Sequence, residues 1–267
     1  MGRLTVADGK SVYFEYSPGE KATVVLIHGW GMSGRVWDQT LITLQAQGHG
    51  VLTLDHRGCG QSDKDFPAVA ISDIAADVVK LVDSLGLDEV VLNGWSLGGA
   101  AAVEAAAALG ARCKGLVLTC AATPRYCQGP DFPWGAAPAD VEANRELLKT
   151  NRPAFMRGVA TAACAMPVPP ETVDWLWSIF MQTSPNADAA LIELARVEQR
   201  DLLKTIACPV LIYAGGKDVF TPPEIGEAAA ALLGTATLVR YDECGHSPHI
   251  ENAAPYHADL LKFLSTI

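Results

Sequence analysis

The sequence predicts an α/β protein: a mostly parallel central sheet, helices on both of its faces, and a helical cap inserted late in the chain. Three observations carry this. Apolar, often β-branched runs at residues 23–27, 51–55, 90–92, 115–119 and 209–214 recur between stretches of helical spacing, the rhythm of βαβ units. These runs are continuous rather than alternating, as strands buried on both faces require. The rhythm then stops at Ala121 and resumes near residue 209, and nine prolines (positions 124, 130, 133, 138, 153, 167, 169, 170 and 185) fall in the gap.

Taken in order, residues 12–16 alternate loosely before Ser17-Pro18-Gly19 and read as an early antiparallel strand. The strand at 23–27 runs into His28-Gly29-Trp30-Gly31. Helical spacing over 36–47 stops at Gly48, and the strand at 51–55 leads into the turn-rich segment 57–62. Residues 71–85 form an amphipathic pattern with Ser72 or Asp73 near its start and Gly86 after its end. The strand at 90–92 meets Asn93-Gly94-Trp95-Ser96-Leu97-Gly98-Gly99 and a run of small residues, 100–108. After the strand at 115–119 come short helical patterns at 173–181 and 187–194. The aromatics Tyr126, Phe132, Trp134, Phe155, Trp175, Trp177 and Phe180 are there to pack a cap or line a pocket beneath it. The strand at 209–214 ends in Gly215-Gly216-Lys217-Asp218. A helix at 223–233, a strand at 237–241 with the exit loop 242–249, and a helix at 255–264 complete the chain. Residues 1–120 and 201–267 thus read as one core, and 121–200 as its cap.

Composition bounds the function. Of 267 residues, 49% are hydrophobic and 19% charged, which suits a buried core; the net charge of −10 argues against a nucleic-acid partner. Seven cysteines form an odd set without a C-x-x-C pair and read as reduced thiols. The polar start, Met1 to Asp8, lacks the apolar stretch of a signal peptide. The longest apolar stretch, residues 100–109, is broken by Glu104 and too short to span a bilayer. A cytoplasmic monomer or weak dimer without a membrane partner is expected.

The chemistry centres on Gly94-x-Ser96-x-Gly98, a strand–turn–helix pattern that presents a serine at the tip of a sharp turn. A serine hydroxyl attacks poorly until a base takes its proton, and a carboxylate must orient that base. Asp218 and His246 follow later strands, in the chain order Ser–Asp–His, and carboxyl ends of parallel strands share one edge. Asp242 competes for the carboxylate role and His249 for the base; His257, inside the last helix, reads as facing solvent. Backbone amides of Leu97 and Trp30 are the candidate oxyanion donors, with His28 structural. A metal at His246-x-x-His249 lacks acidic or cysteine companions, so neither metal nor cofactor is expected.

These motifs, together with Asp55-His56-Arg57-Gly58-Cys59-Gly60-Gln61-Ser62 and Gly245-His246, resemble those of the α/β-hydrolase family along the whole chain. The resemblance implies the α/β-hydrolase fold and a serine hydrolase with the triad Ser96, Asp218 and His246. Within that family, His28-Gly29-Trp30-Gly31, Trp37, Gly94-Trp95-Ser96-Leu97-Gly98-Gly99, Ala122-Thr123-Pro124-Arg125 and Asp131-Phe132-Pro133 are similar to the carboxylesterases that demethylate pimeloyl-acyl-carrier-protein methyl ester in biotin synthesis. The substrate implied is a small-molecule or acyl-carrier-linked ester. That subgroup holds its acidic carrier with cap arginines. Here Arg145, Lys149, Arg152 and Arg157 are interleaved with Asp140, Glu142 and Glu146, which reads first as a solvated helix face and only second as a docking site. A general short-chain esterase, a carbon–carbon bond hydrolase or a perhydrolase would use the same triad. A ligand receptor of this fold with slow or no turnover is the alternative of another class. Ser96 stands against dehalogenation, which needs an aspartate there.

Overall fold

The computed structural model describes residues 1–6 and 9–267; the polar N-terminal stretch runs onto residues 7 and 8, which lie outside the described residues. One eight-stranded sheet has the order β1-β2-β4-β3-β5-β6-β7-β8. Its strands are β1 (Gly2–Thr5), β2 (Ser11–Ser17), β3 (Lys21–Ile27), β4 (His49–Leu54), β5 (Val90–Trp95), β6 (Cys113–Thr119), β7 (Val210–Gly215) and β8 (Ala236–Tyr241). β1 and β2 pair antiparallel with each other, and β2 antiparallel with β4. Every pair from β4 to β8 is parallel. All residues of β4, β5 and β7 are buried, as their continuous apolar runs demand. Short and polar, β1 leaves no such signature and lay outside the sequence expectation.

The helices are α1 (Asp38–Ala46), α2 (Ile71–Ser84), α3 (Leu97–Leu109), α4 (Pro138–Ala162), α5 (Pro170–Met181), α6 (Ala190–Ala195), α7 (Arg200–Leu203), α8 (Pro223–Leu232), α9 (Pro248–Glu251) and α10 (Ala253–Leu264). α3 lies on β5 and β6 and packs against α2, while α1 packs with α9 and α10. Alanines let α3 bury nearly its whole circumference. α2 starts where the Asp73 carboxylate accepts the Ala70 amide, 3.0 Å away, so Asp73 rather than Ser72 closes its first turn. α4 through α7 lie between β6 and β7 in the chain. α4 breaks at Asn151, whose backbone is non-helical, two residues before Pro153. Among the described residues no helix is long and apolar enough to cross a membrane.

Two features aim this fold at one place. β3 pairs with β4 on one side and β5 on the other, so the crossovers diverge there and open a crevice at the carboxyl ends of β3 and β5, where open α/β sheets take ligands. Beneath it, fully buried polar groups lock β5, β6 and α10 together. Asn93 Nδ2 donates to the Tyr256 hydroxyl at 2.9 Å, Thr119 Oγ1 donates to Asn93 Oδ1 at 3.0 Å, and the Tyr213 hydroxyl donates to the Tyr256 carbonyl at 3.1 Å. His257 corrects the sequence expectation. It is buried rather than solvent-facing, because its ring reaches Thr40 Oγ1 at 3.0 Å and Thr43 Oγ1 at 3.4 Å on α1. Tyr256→Phe leaves the Asn93 amide buried without its acceptor, so urea unfolding should show a loss of about 1–3 kcal/mol; an unchanged midpoint would show that the network is not stabilising.

Candidate active site

Ser96 stands between β5 and α3 with φ 57° and ψ −122°, a conformation an L-residue adopts only under constraint. The constraint is close packing. A Cβ on Gly94 would lie 2.3 Å from the Gly98 carbonyl oxygen, and one on Gly98 would lie 2.3 Å from the carbonyl oxygens of both Ile27 and His28. Only bare backbone lets the start of α3 sit against the exits of β5 and β3. Neighbouring backbone holds the turn: the Ser96 amide donates to the Thr119 carbonyl, and the Ser96 carbonyl accepts from Gly99 and Ala122. Leu97, the first residue of α3, has an amide with no acceptor inside the helix. The Trp30 amide makes no backbone hydrogen bond among the described residues.

The loop after β3 is pinned by His28. Its Nδ1–H donates to the Gly29 carbonyl at 2.7 Å, and its Nε2 accepts the His56 amide at 2.9 Å, with the two imidazoles stacked 3.6 Å apart. That geometry requires a neutral ring. Burial pushes His28 below the usual histidine range, against the pull of Asp55. His28 is therefore structural.

His246 and Asp218 meet at 2.7 Å between Nδ1 and Oδ2, with both residues buried. Asp218 is held on all sides. Oδ1 accepts the amides of Phe220 (2.8 Å) and Thr221 (3.0 Å), and Oδ2 also accepts the Thr221 hydroxyl at 2.7 Å. The rivals are elsewhere. Asp242 is exposed and paired with Arg240 at 2.8 Å. His249 is buried between the rings of Trp37 and Trp95, at centroid distances of 4.5 and 4.8 Å. Burial, then the neighbouring His246 and His257, holds His249 far below the usual histidine range.

Glu251 was missed in the sequence. One oxygen accepts the amides of Gly245 (3.0 Å) and Ser247 (3.1 Å), flanking His246; the other accepts those of Ala165 (2.7 Å) and Met166 (2.8 Å), just past α4. The His246 amide donates to the Ala163 carbonyl. The histidine loop is thus tied to the segment that follows α4. Thr221 was missed too, although a threonine three residues after an aspartate in a turn is a recognisable capping signal.

Ser96 and His246 line one cavity of about 70 Å³, floored by Gly29, Trp30 and Trp95 and roofed by α4, α5 and α6. The roof supplies Asn144, Phe155, Val159, Phe180, Leu191 and Leu194. Phe155, Val159 and Ala163 recur at i, i+4 and i+8, a stripe visible in the sequence once α4 is placed. Of the expected cap aromatics, Tyr126, Phe155 and Phe180 line the cavity, and Trp30 packs edge-on to Phe155 at 6.4 Å. Phe132 and Trp134 instead pack edge to face at 5.1 Å, and Trp175 and Trp177 are half-buried outside it. No Asp, Glu, Lys or Arg among the described residues lines the cavity.

Burial of four histidines has a pH consequence. His28, His56, His249 and His257 are all lowered by burial, so the unfolded chain binds more protons below its histidine range. Stability is therefore full above about pH 6.5 and falls as the pH drops towards the folded-state values, by up to about 1.4 kcal/mol per pH unit for each histidine. Chemical unfolding from pH 8 to pH 4.5 should show that decline, and replacing His249 with Phe should shallow it. A flat profile would contradict the burial argument.

Comparison with known proteins places these features in context. The family model of the alpha/beta hydrolase fold matches residues 22–253. The chain is 30% identical over 254 residues to a pimeloyl-[acyl-carrier protein] methyl ester esterase of Stenotrophomonas maltophilia, covering 93% of this chain and 95% of that one. It is 28% identical over 276 residues to a non-heme chloroperoxidase of Streptomyces lividans, covering 100% of both. An esterase from Exiguobacterium antarcticum superposes with a TM-score of 0.95 at 26% identity, over 99% of this chain and 100% of that one.

Proposed function

The chain belongs to the α/β-hydrolase fold family, and from that premise we propose that it is a serine carboxylesterase working through an acyl-enzyme. The observation that carries the reading is the 2.7 Å His246–Asp218 bond beside a cavity that His246 shares with the strained Ser96. Asp218 engages Nδ1, so Nε2 is the nitrogen left to act as base. Ser96 Oγ attacks the ester carbonyl as His246 takes its proton, and the alcohol leaves with that proton. Water then attacks the acyl-enzyme by the same relay in reverse. The Leu97 and Trp30 amides receive the oxyanion of each tetrahedral intermediate; one such donor is worth about 3–4 kcal/mol in comparable sites.

The cavity supports a neutral, apolar acyl group, since a carboxylate there would be desolvated without a cationic partner. A pimeloyl methyl ester chain is neutral at its ester end, and the relative at 30% identity favours that substrate as a second reading. Charge on the cap weighs against a docked acidic carrier. Arg145 pairs with Glu142, Lys149 with Glu146, Arg157 with Asp174, and Arg152 is half-buried against Asp188 at 2.8 and 3.1 Å. Free esters are therefore the first choice. The chloroperoxidase relative keeps a third use in view, in which peroxide rather than water takes the acyl group from Ser96.

Ser96→Ala should fold normally and lose p-nitrophenyl acetate turnover by about 10⁴-fold or more, with Asp218→Asn close behind. Retention of the wild-type rate by Ser96→Ala would refute the mechanism. A kcat/KM series from acetate to decanoate, with pimeloyl-carrier methyl ester alongside, separates the first two readings by whether the free or the carrier-linked ester wins.

A further inference from the structure

At the edge of the sheet opposite Ser96, a cleft of about 380 Å³ lies between the end of α3 and the entries to β6 and β7. Cys113 and Cys208 both line it, with their sulfurs 3.9 Å apart although they stand 95 positions apart in sequence. Cys113 opens β6, and Cys208 stands two residues before β7. β6 and β7 pair in parallel from Leu116 and Val210 onward, and Cys113 and Cys208 stand just before those residues, so the two cysteines enter neighbouring strands. Cys113 is buried and Cys208 half-buried, so a small reagent in the cleft meets Cys208 first. Cys244 and Cys120 direct their sulfurs elsewhere, to Met166 Sδ at 3.5 Å and the Gly245 carbonyl at 3.8 Å.

We propose that Cys113 and Cys208 form a redox-active dithiol, oxidised by small disulfides of the glutathione class to an intramolecular disulfide that staples the two core segments on either side of the cap. The Cys208 thiolate attacks one sulfur of the small disulfide, breaking its S–S bond and releasing one thiol. Cys113 sulfur then displaces the second thiol from the mixed disulfide on Cys208 and gives up its proton. Both protein thiols are oxidised and one small disulfide is reduced to two thiols. The sulfurs must close from 3.9 Å to about 2.05 Å for the bond to form. Local hydrogen bonding supports the order of attack. The Cys113 thiol holds Cys208 below the usual thiol range, while Cys113 itself is held above it. Burial pushes the cleft-free thiols up, Cys59 and Cys164 to about 12 and Cys244 to about 11.

The test equilibrates the full-length protein in oxidised and reduced glutathione at graded ratios, traps free thiols by alkylation, and maps peptides without reduction. A Cys113–Cys208 linked peptide should appear as the ratio becomes oxidising and vanish with dithiothreitol, with the remaining cysteines alkylated. Cys208→Ser should give no link, and Cys113→Ser should leave glutathione on Cys208. The linked form should melt at a higher temperature than the reduced form, because the cross-link constrains the unfolded chain. The proposal fails if wild-type Cys208 retains glutathione without linking, or if both thiols stay alkylatable at the most oxidising ratio. A link that leaves Tm unchanged or lower overturns the stapling role.

Discussion

Everything at the candidate site depends on the close approach of three backbone segments around Ser96. The exit of β3, the exit of β5 and the first turn of α3 touch without side chains, because Gly94 and Gly98 have none to interpose. The cost is a serine held at φ 57°, a strain of about 1–3 kcal/mol that the surrounding sheet must sustain. In return, the hydroxyl stands clear of the sheet, and the amides of Trp30 and Leu97 belong to the segments pressed together there. The buried Asn93, Thr119 and Tyr256 network lies one layer below, on the strands that carry the turn.

The second constraint is electrostatic. Asp218 accepts four hydrogen bonds, from Phe220, Thr221 (amide and hydroxyl) and His246, so its carboxylate has one orientation and fixes one face of the imidazole. Glu251 does the same for the backbone on either side of His246 and joins that loop to the segment after α4. Burial holds His28, His56, His249 and His257 below the usual histidine range. His246 differs from these four in having a carboxylate 2.7 Å from Nδ1.

Much of this was legible in the chain because it rests on local patterns. Continuous apolar runs gave the inner strands, and Gly94-x-Ser96-x-Gly98 gave the turn, since each is decided by residues adjacent in sequence. Asp218 could be preferred to Asp242 from its place after a strand; Asp242 is exposed and ion-paired with Arg240. What was not legible depends on contacts between distant elements. β1 is polar and short, and exists by pairing with β2. His257 lies on a helix whose inward face is set by α1, so its sequence neighbours could not reveal its burial. Pro153 hid the length of α4, and with it the stripe of Phe155, Val159 and Ala163 over the cavity. Glu251 binds four amides drawn from two loops some eighty residues apart, a role no spacing encodes.

The central claim is that chemistry passes through a covalent bond to Ser96. Its most direct test is rapid quenching of the enzyme with a p-nitrophenyl ester, followed by mass-spectrometric location of the acyl group. A burst of p-nitrophenol is expected, with an acylated Ser96 peptide that disappears as turnover ends. An acyl group on any other residue, or turnover with Ser96 never acylated, would contradict it.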